Sequence, residues 1–98
     1  MAYEIKYTKA AHIALGSLIP EARFQFDMLI DMIKTDITNE YLKNKLQKLS
    51  SSSAFNLFSL KINGKYRGLL QIDDQSITVA DIVNHESLKQ LFNHKQNV

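Results

Sequence analysis

The eighteen residues FNLFSLKINGKYRGLLQI, Phe55 to Ile72, narrow the fold more than any other stretch of this chain. Two runs rich in aromatic and aliphatic residues meet at Asn63-Gly64. Asn-Gly between such runs is a strong hairpin signal, because both residues accept the positive φ that tight turns require. Loop length then decides what faces where, since a slip of one residue turns every side chain over. A two-residue turn would pair Ile62 with Lys65 and Leu60 with Arg67, setting apolar against basic positions. A three-residue loop, with Gly64 as its left-handed last residue, pairs Lys61 with Lys65, Ser59 with Arg67 and Leu60 with Tyr66. The faces then separate, with Phe58, Leu60, Tyr66 and Leu70 toward a core and Ser59, Lys61, Lys65, Arg67 and Gln71 on the other side. The hydrophobic pattern predicts the three-residue loop.

Upstream, Tyr3, Ile5 and Tyr7 alternate with Glu4 and Lys6, the period of a half-buried strand. Thr8 is placed to cap a short helix over Lys9 to Leu15 that Gly16 stops, and His12 within it reads as a surface residue. Pro20 suits a first helical turn, and an amphipathic helix follows to about Asp36. Ala22, Phe26, Leu29, Ile30 and Ile33 share its buried stripe, while Arg23, Asp27, Asp31 and Lys34 lie outside it. Phe24, Met28 and Met32 sit toward the edges of that stripe, where they fit a core or, alternatively, a groove covered by a partner.

A further helix is expected from Thr38, its N-cap, with Ile37 stapled onto Leu42 and with Leu42, Leu46 and Leu49 on its buried side. Ser50 to Ser53 reads as a loop. After the hairpin, Asp73-Asp74-Gln75 is a second turn and Ser76 to Val83 a third consecutive strand. Ser87 to Phe92 has apolar residues at helical spacing before a polar tail. The expected fold class is α+β: an N-terminal strand, two to three helices, an antiparallel three-strand meander and a short C-terminal helix, with the helices on one face of the sheet.

A chain of 98 residues with 45% hydrophobic content can bury one core but not two, so a single domain over 1–98 is expected. Neither a membrane-spanning apolar run nor an export leader is visible. The absence of cysteine removes disulfides, thiolate metal sites and thiol nucleophiles, and a cytoplasmic protein fits. Charge is segregated along the chain. Tyr41 to Ile72 contains no acid and carries +6 from Lys43, Lys45, Lys48, Lys61, Lys65 and Arg67, whereas the rest of the chain sums to −4. Such a block is the footprint of a phosphate-bearing or acidic partner, although Lys43, Lys45 and Lys48 alone also fit a solvated helix face.

Three glycines supply no phosphate-cradling loop, and no set of histidines and carboxylates has metal-ligand spacing, so neither cofactor nor metal is expected. What remains is Lys61, Lys65 and Arg67, with Ser59, on one sheet face and His85 at the exit of the next strand. Arginine and lysine can hold a phosphodiester and stabilise the added charge of its transition state, and histidine can move a proton near neutral pH. Three solvated charges on a sheet and a histidine at a helix start fit the same residues.

The order of elements, the strand Gly64-Lys65-Tyr66-Arg67 with Leu69 and Leu70 after it, and Val83-Asn84-His85 followed by Leu88 resemble the RelE/ParE toxin superfamily over nearly the whole chain. The resemblance implies the toxin of a type II toxin-antitoxin pair, a metal-independent endoribonuclease that cuts messenger RNA on the ribosome and is neutralised by a cognate antitoxin. A ParE-like inhibitor of DNA gyrase is the alternative, as is a catalytically silent relative that only binds its antitoxin. By the same resemblance, Arg67 matches the strand arginine at the scissile phosphate and His85 the histidine of the YafQ-type branch. Lys61 and Lys65 complete the expected catalytic set. Lys43, Lys45, Lys48, Ser59, Gln71 and Phe92 are the expected RNA-binding residues, with Phe92 able to stack on a base. The chain departs from the family pattern at Glu86, where an arginine is usual, and in lacking the C-terminal tyrosine of some ribonuclease members. It also has Leu57 and Ser59 where more basic residues are common.

Overall fold

A computed structural model describes residues 3–50 and 56–86. Its elements are β1 (Glu4–Tyr7), α1 (Lys9–Gly16), α2 (Pro20–Thr35), a 3-10 helix (Glu40–Asn44), β2 (Leu46–Ser50), β3 (Leu57–Lys61), β4 (Tyr66–Ile72) and β5 (Ser76–Asn84). The strands form one sheet in the order β1-β5-β4-β3-β2, with β1 parallel to β5 and every other pair antiparallel. This is the expected α+β architecture, with a mixed sheet of five strands.

The N-terminal half follows its local signals. Thr8 caps α1, its hydroxyl accepting the amide of Ala11 at 3.1 Å. Gly16 is the last residue of α1 and has no positive φ, and Ser17 closes the helix in a right-handed conformation. Pro20 opens α2, with Glu21 in its first turn and Lys34 in its last, each sign suited to the helix dipole. The five residues of the expected stripe, Ala22, Phe26, Leu29, Ile30 and Ile33, are all buried. Met32 packs against the core, whereas Phe24 and Met28 are 69% and 40% exposed and lie outside it.

This stripe covers one face of the sheet, where it meets Leu60, Leu70, Ile77, Val79 and Ile82 together with Ala11 and Leu15 of α1. Gly68 sits in the middle of that face: a Cβ built there would lie 3.7 Å from the Phe26 ring and 3.6 Å from Ile82. Those are ordinary van der Waals distances, and they place the Phe26 ring directly over the centre of the sheet. Burying an aromatic of this size is worth on the order of 2–3 kcal/mol.

The region after α2 departs from the sequence reading. The helix expected from Thr38 is one 3-10 turn capped by Asn39, whose side chain accepts the Tyr41 amide, and the chain then enters β2. Leu42 is buried and Leu46 packs on the core as foreseen, but Leu49 falls within the irregularity between Lys48 and Ser50. Pairing with β3, the next strand along the chain, overrides the helical spacing of the three leucines, because ladder bonds replace intrahelical ones. Ser50 therefore belongs to a strand; Ser51 to Ser53 and the helix expected over Ser87 to Phe92 lie outside the described residues.

Candidate nucleic-acid interface

The hairpin keeps its two faces but not its register. Lys61 stands opposite Arg67, Leu60 opposite Gly68 and Ser59 opposite Leu69, two residues away from the expected pairing. The loop is still three residues long, Asn63 to Lys65, and Gly64 does not have positive φ. Asn63 makes the turn instead: its Oδ1 accepts the amides of Lys65 at 2.8 Å and Tyr66 at 2.9 Å. A shift of two preserves the alternation of the faces, so Phe58, Leu60, Tyr66 and Leu70 still face the helices.

The opposite face gathers the basic residues. Lys61 and Arg67 form a cross-strand pair, and the Lys61 amide donates at 2.7 Å to the carbonyl of Lys45, the residue before β2, whose ammonium lies 5.3 Å from the Tyr41 ring centroid. No carboxylate lies within salt-bridge distance of these three among the described residues, where the ion pairs are Arg23–Asp27 and Lys43–Glu40. Arg67 Nη1 donates to the Asn63 carbonyl at 2.7 Å and to the Tyr66 carbonyl at 3.2 Å, which draws the guanidinium toward the hairpin tip. Like charges directly opposite one another cost stability. The Lys61–Arg67 pair is therefore a poor structural choice and a good anion receptor.

A bulge supplies the other half of the face. Leu69 pairs with Asp81 but Leu70 pairs with Val79, leaving Ala80 as the extra residue of β5. Before the bulge Ile77 and Val79 point into the core; after it Ile82 does, so Asp81 and Val83 turn onto the basic face. The hydroxyl of Thr8 donates to the Ala80 carbonyl at 2.6 Å, and its amide donates to the Val79 carbonyl at 3.1 Å. One N-cap residue thus pins the bulge. His85, two residues beyond Val83, donates its amide to the Lys65 carbonyl at 2.7 Å. It is half-buried, and its Nδ1 is enclosed with no hydrogen-bond partner among the described residues.

The expected site residues divide accordingly. Arg67 and Lys61 are cross-strand partners at one end of the face, and His85 is joined to that end through its backbone bond to Lys65, which lies in the turn with its ammonium 5.4 Å from the Tyr66 ring centroid. Lys45 is tied to this end through the backbone bond to Lys61, and Gln71 lies further along the same face. Ser59 is on that face but only 5% exposed, so it is not the accessible hydroxyl the sequence suggested. Lys43 is paired with Glu40 on the 3-10 helix, and Lys48 lies on the other face over the Phe58 ring, so the three lysines do not form a common helix surface. Phe92 lies outside the described residues. Asp81 was missed; its signal is the step of three between Val79 and Ile82, which breaks strand alternation.

No family model and no curated protein matches the sequence. Solved structures do match the fold. An archaeal RelE–RelB complex from Pyrococcus horikoshii OT3 aligns with TM-score 0.71 at 21% identity, covering 86% of this chain and 96% of that one. The YoeB dimer from Staphylococcus aureus gives 0.68 at 19%, covering 87% and 99%. The DinJ–YafQ toxin-antitoxin complex of E. coli gives 0.64 at 9%, covering 90% and 98%.

Proposed function

From the RelE-like toxin fold that this chain adopts, we propose that it is the toxin of a type II toxin-antitoxin pair and acts as a metal-independent endoribonuclease on messenger RNA at the ribosome. The observation that carries this reading is the Lys61–Arg67 pair, two cations set against each other without a carboxylate partner among the described residues, on the face to which the bulge also turns the end of β5.

In this mechanism the ribose 2′-oxygen attacks the adjacent phosphorus and the bond from phosphorus to the 5′-oxygen breaks, leaving a 2′,3′-cyclic phosphate and a 5′-hydroxyl. Arg67 and Lys61 hold the non-bridging oxygens as their charge grows, which is worth about 3 kcal/mol of barrier per well-placed donor. His85 exchanges a proton with one of the two reacting oxygens through Nε2, since Nδ1 is enclosed. Lys45 and Lys65 attract the flanking phosphates.

The DinJ–YafQ structure is described as a toxin-antitoxin complex, and a cognate antitoxin is the corresponding partner here. The exposed Phe24 and Met28 on α2 offer apolar surface for it. Nothing in the geometry favours a gyrase target, which would leave the paired cations without a role.

The test is induced expression in bacteria with growth and messenger RNA followed together by primer extension. Growth arrest with new cleavage sites, lost in Arg67→Ala and His85→Ala, is expected. Arrest with intact messages, or equal arrest by both variants, would contradict the reading.

A further inference from the structure

Asp81 is an anomaly on a surface meant for a polyanion. It pairs with Leu69 and stands one diagonal step from Arg67, because Val83 is the residue opposite Arg67. Diagonal neighbours in an antiparallel pair lie roughly 7–8 Å apart, close enough for long side chains to meet. Yet Arg67 does not turn toward it; the guanidinium goes to the carbonyls of Asn63 and Tyr66. Asp81 Oδ1 accepts only the amide of Ile82, at 2.8 Å, which fixes the carboxylate while leaving further lone pairs free on both oxygens. Around it the face is apolar, with half-exposed Leu69 across the strand and half-exposed Val83 two residues on.

We propose that Asp81 selects the base beside the phosphate held by Arg67, and that the base it takes is guanine. This rests on the ribonuclease reading above. A carboxylate only accepts hydrogen bonds, so it repels phosphate and rewards N–H groups. Guanine alone among the four bases presents two adjacent donors on its Watson–Crick edge, N1–H and the 2-amino group, spaced for the two oxygens of one carboxylate. Adenine and cytosine each place an amino group beside a bare acceptor nitrogen, and uracil places one N–H between two carbonyls. Leu69 and Val83 receive the flat side of the base while the edge meets Asp81. Single-stranded RNA is read in this manner, by base edges laid against a protein surface with the backbone held separately.

The probe is a set of four short single-stranded RNAs that differ only in a central pair of G, A, C or U within a uridine background. Their binding to the purified chain is followed by fluorescence anisotropy. A protein using Asp81 in this way binds the G-containing RNA roughly tenfold more tightly than the others, the discrimination of one good bidentate pair. Asp81→Asn, which keeps an acceptor for the Ile82 amide, loses that preference and gains relative affinity for the A- and C-containing RNAs, because an amide offers one donor and one acceptor, the complement of the edge that adenine and cytosine share. Asp81→Ala loses it without favouring any base. Equal binding of all four RNAs by the wild-type chain overturns the inference while leaving the ribonuclease reading standing. A guanine preference that survives both substitutions also overturns it, as does a uniform rise in affinity for every RNA, which would make Asp81 an electrostatic brake. Absence of any RNA binding overturns the base selection, while the parent reading stands or falls on message cleavage upon induced expression.

Discussion

The two faces of the sheet are built from the same strands by opposite rules. On the helix side, Leu60, Leu70, Ile77 and Val79 are fully buried under Phe26, Leu29 and Ile33, and each position repeats what its neighbours say. On the other side, Lys61 faces Arg67 across a ladder step, a juxtaposition that packing would not select, and Asp81 lies beside them. The first face makes the fold stable, and the second spends some of that stability on a receptor for charge. Substitutions should therefore separate, with those on the covered face costing stability and those on the basic face costing activity alone.

The largest effect expected is that of Phe26→Ala. It empties the site over Gly68 and should lower the unfolding free energy by about 3–5 kcal/mol, the usual cost of truncating a buried aromatic, measured by urea denaturation. A loss below about 1 kcal/mol would mean that α2 is not the lid of the core. Thr8→Val probes the link between the faces. It removes the cap of α1 and the bond to the Ala80 carbonyl at once, and about 1–2 kcal/mol should be lost. Amide chemical shifts from Ala80 to His85 should move with it. If β5 keeps its shifts, the bulge holds itself and Thr8 is only a cap.

A smaller contrast lies between the two turns. Asn63 and Asp73 build them alike: the Asp73 carboxylate accepts the amides of Gln75 at 3.0 Å and Ser76 at 2.6 Å. Those bonds, joined by the Ser76 hydroxyl, hold the Asp73 carboxyl below its ordinary range. The sign follows from linkage. A carboxylate with a lowered folded pKa stabilises the protein above its unfolded value, and that contribution is lost as pH falls through the folded one. Asp73→Asn keeps an acceptor but cannot titrate, so stability should fall less steeply in that acid range than for the wild type. Identical acid slopes for both proteins would show that Asp73 does not titrate with folding. Asn63 makes the equivalent turn without charge, beside Arg67 and Lys65, where a carboxylate would compete for the phosphate.

The covered face was legible because burial writes a period into the sequence. The spacing of Ala22, Phe26, Leu29, Ile30 and Ile33 admits one reading, and Thr8 and Pro20 mark where helices begin. β2 was not legible, since Leu42, Leu46 and Leu49 carry helical spacing and only pairing with β3 makes them otherwise. The hairpin register was half legible. The hydrophobic pattern selected a three-residue loop and fixed which residues share a face, but it does not distinguish registers two residues apart, and the Asn63 side chain sets the observed one by making the turn. Arg67, Lys61 and His85 could be named from the sequence, but the Lys61–Arg67 pairing depends on the hairpin register, and the turn of Asp81 and Val83 onto their face depends on the bulge at Ala80. That bulge leaves a single trace, the displaced Ile82.

The central claim is that the Lys61–Arg67 row serves chemistry and not folding, and the most direct measurement is made on Arg67→Ala in two assays run together. Its urea midpoint should stay close to that of the wild type, within about 1 kcal/mol of unfolding free energy, while growth arrest and messenger RNA cleavage on induction disappear. A variant that unfolds readily, or one that folds and still cleaves messages at the same sites, would contradict the claim.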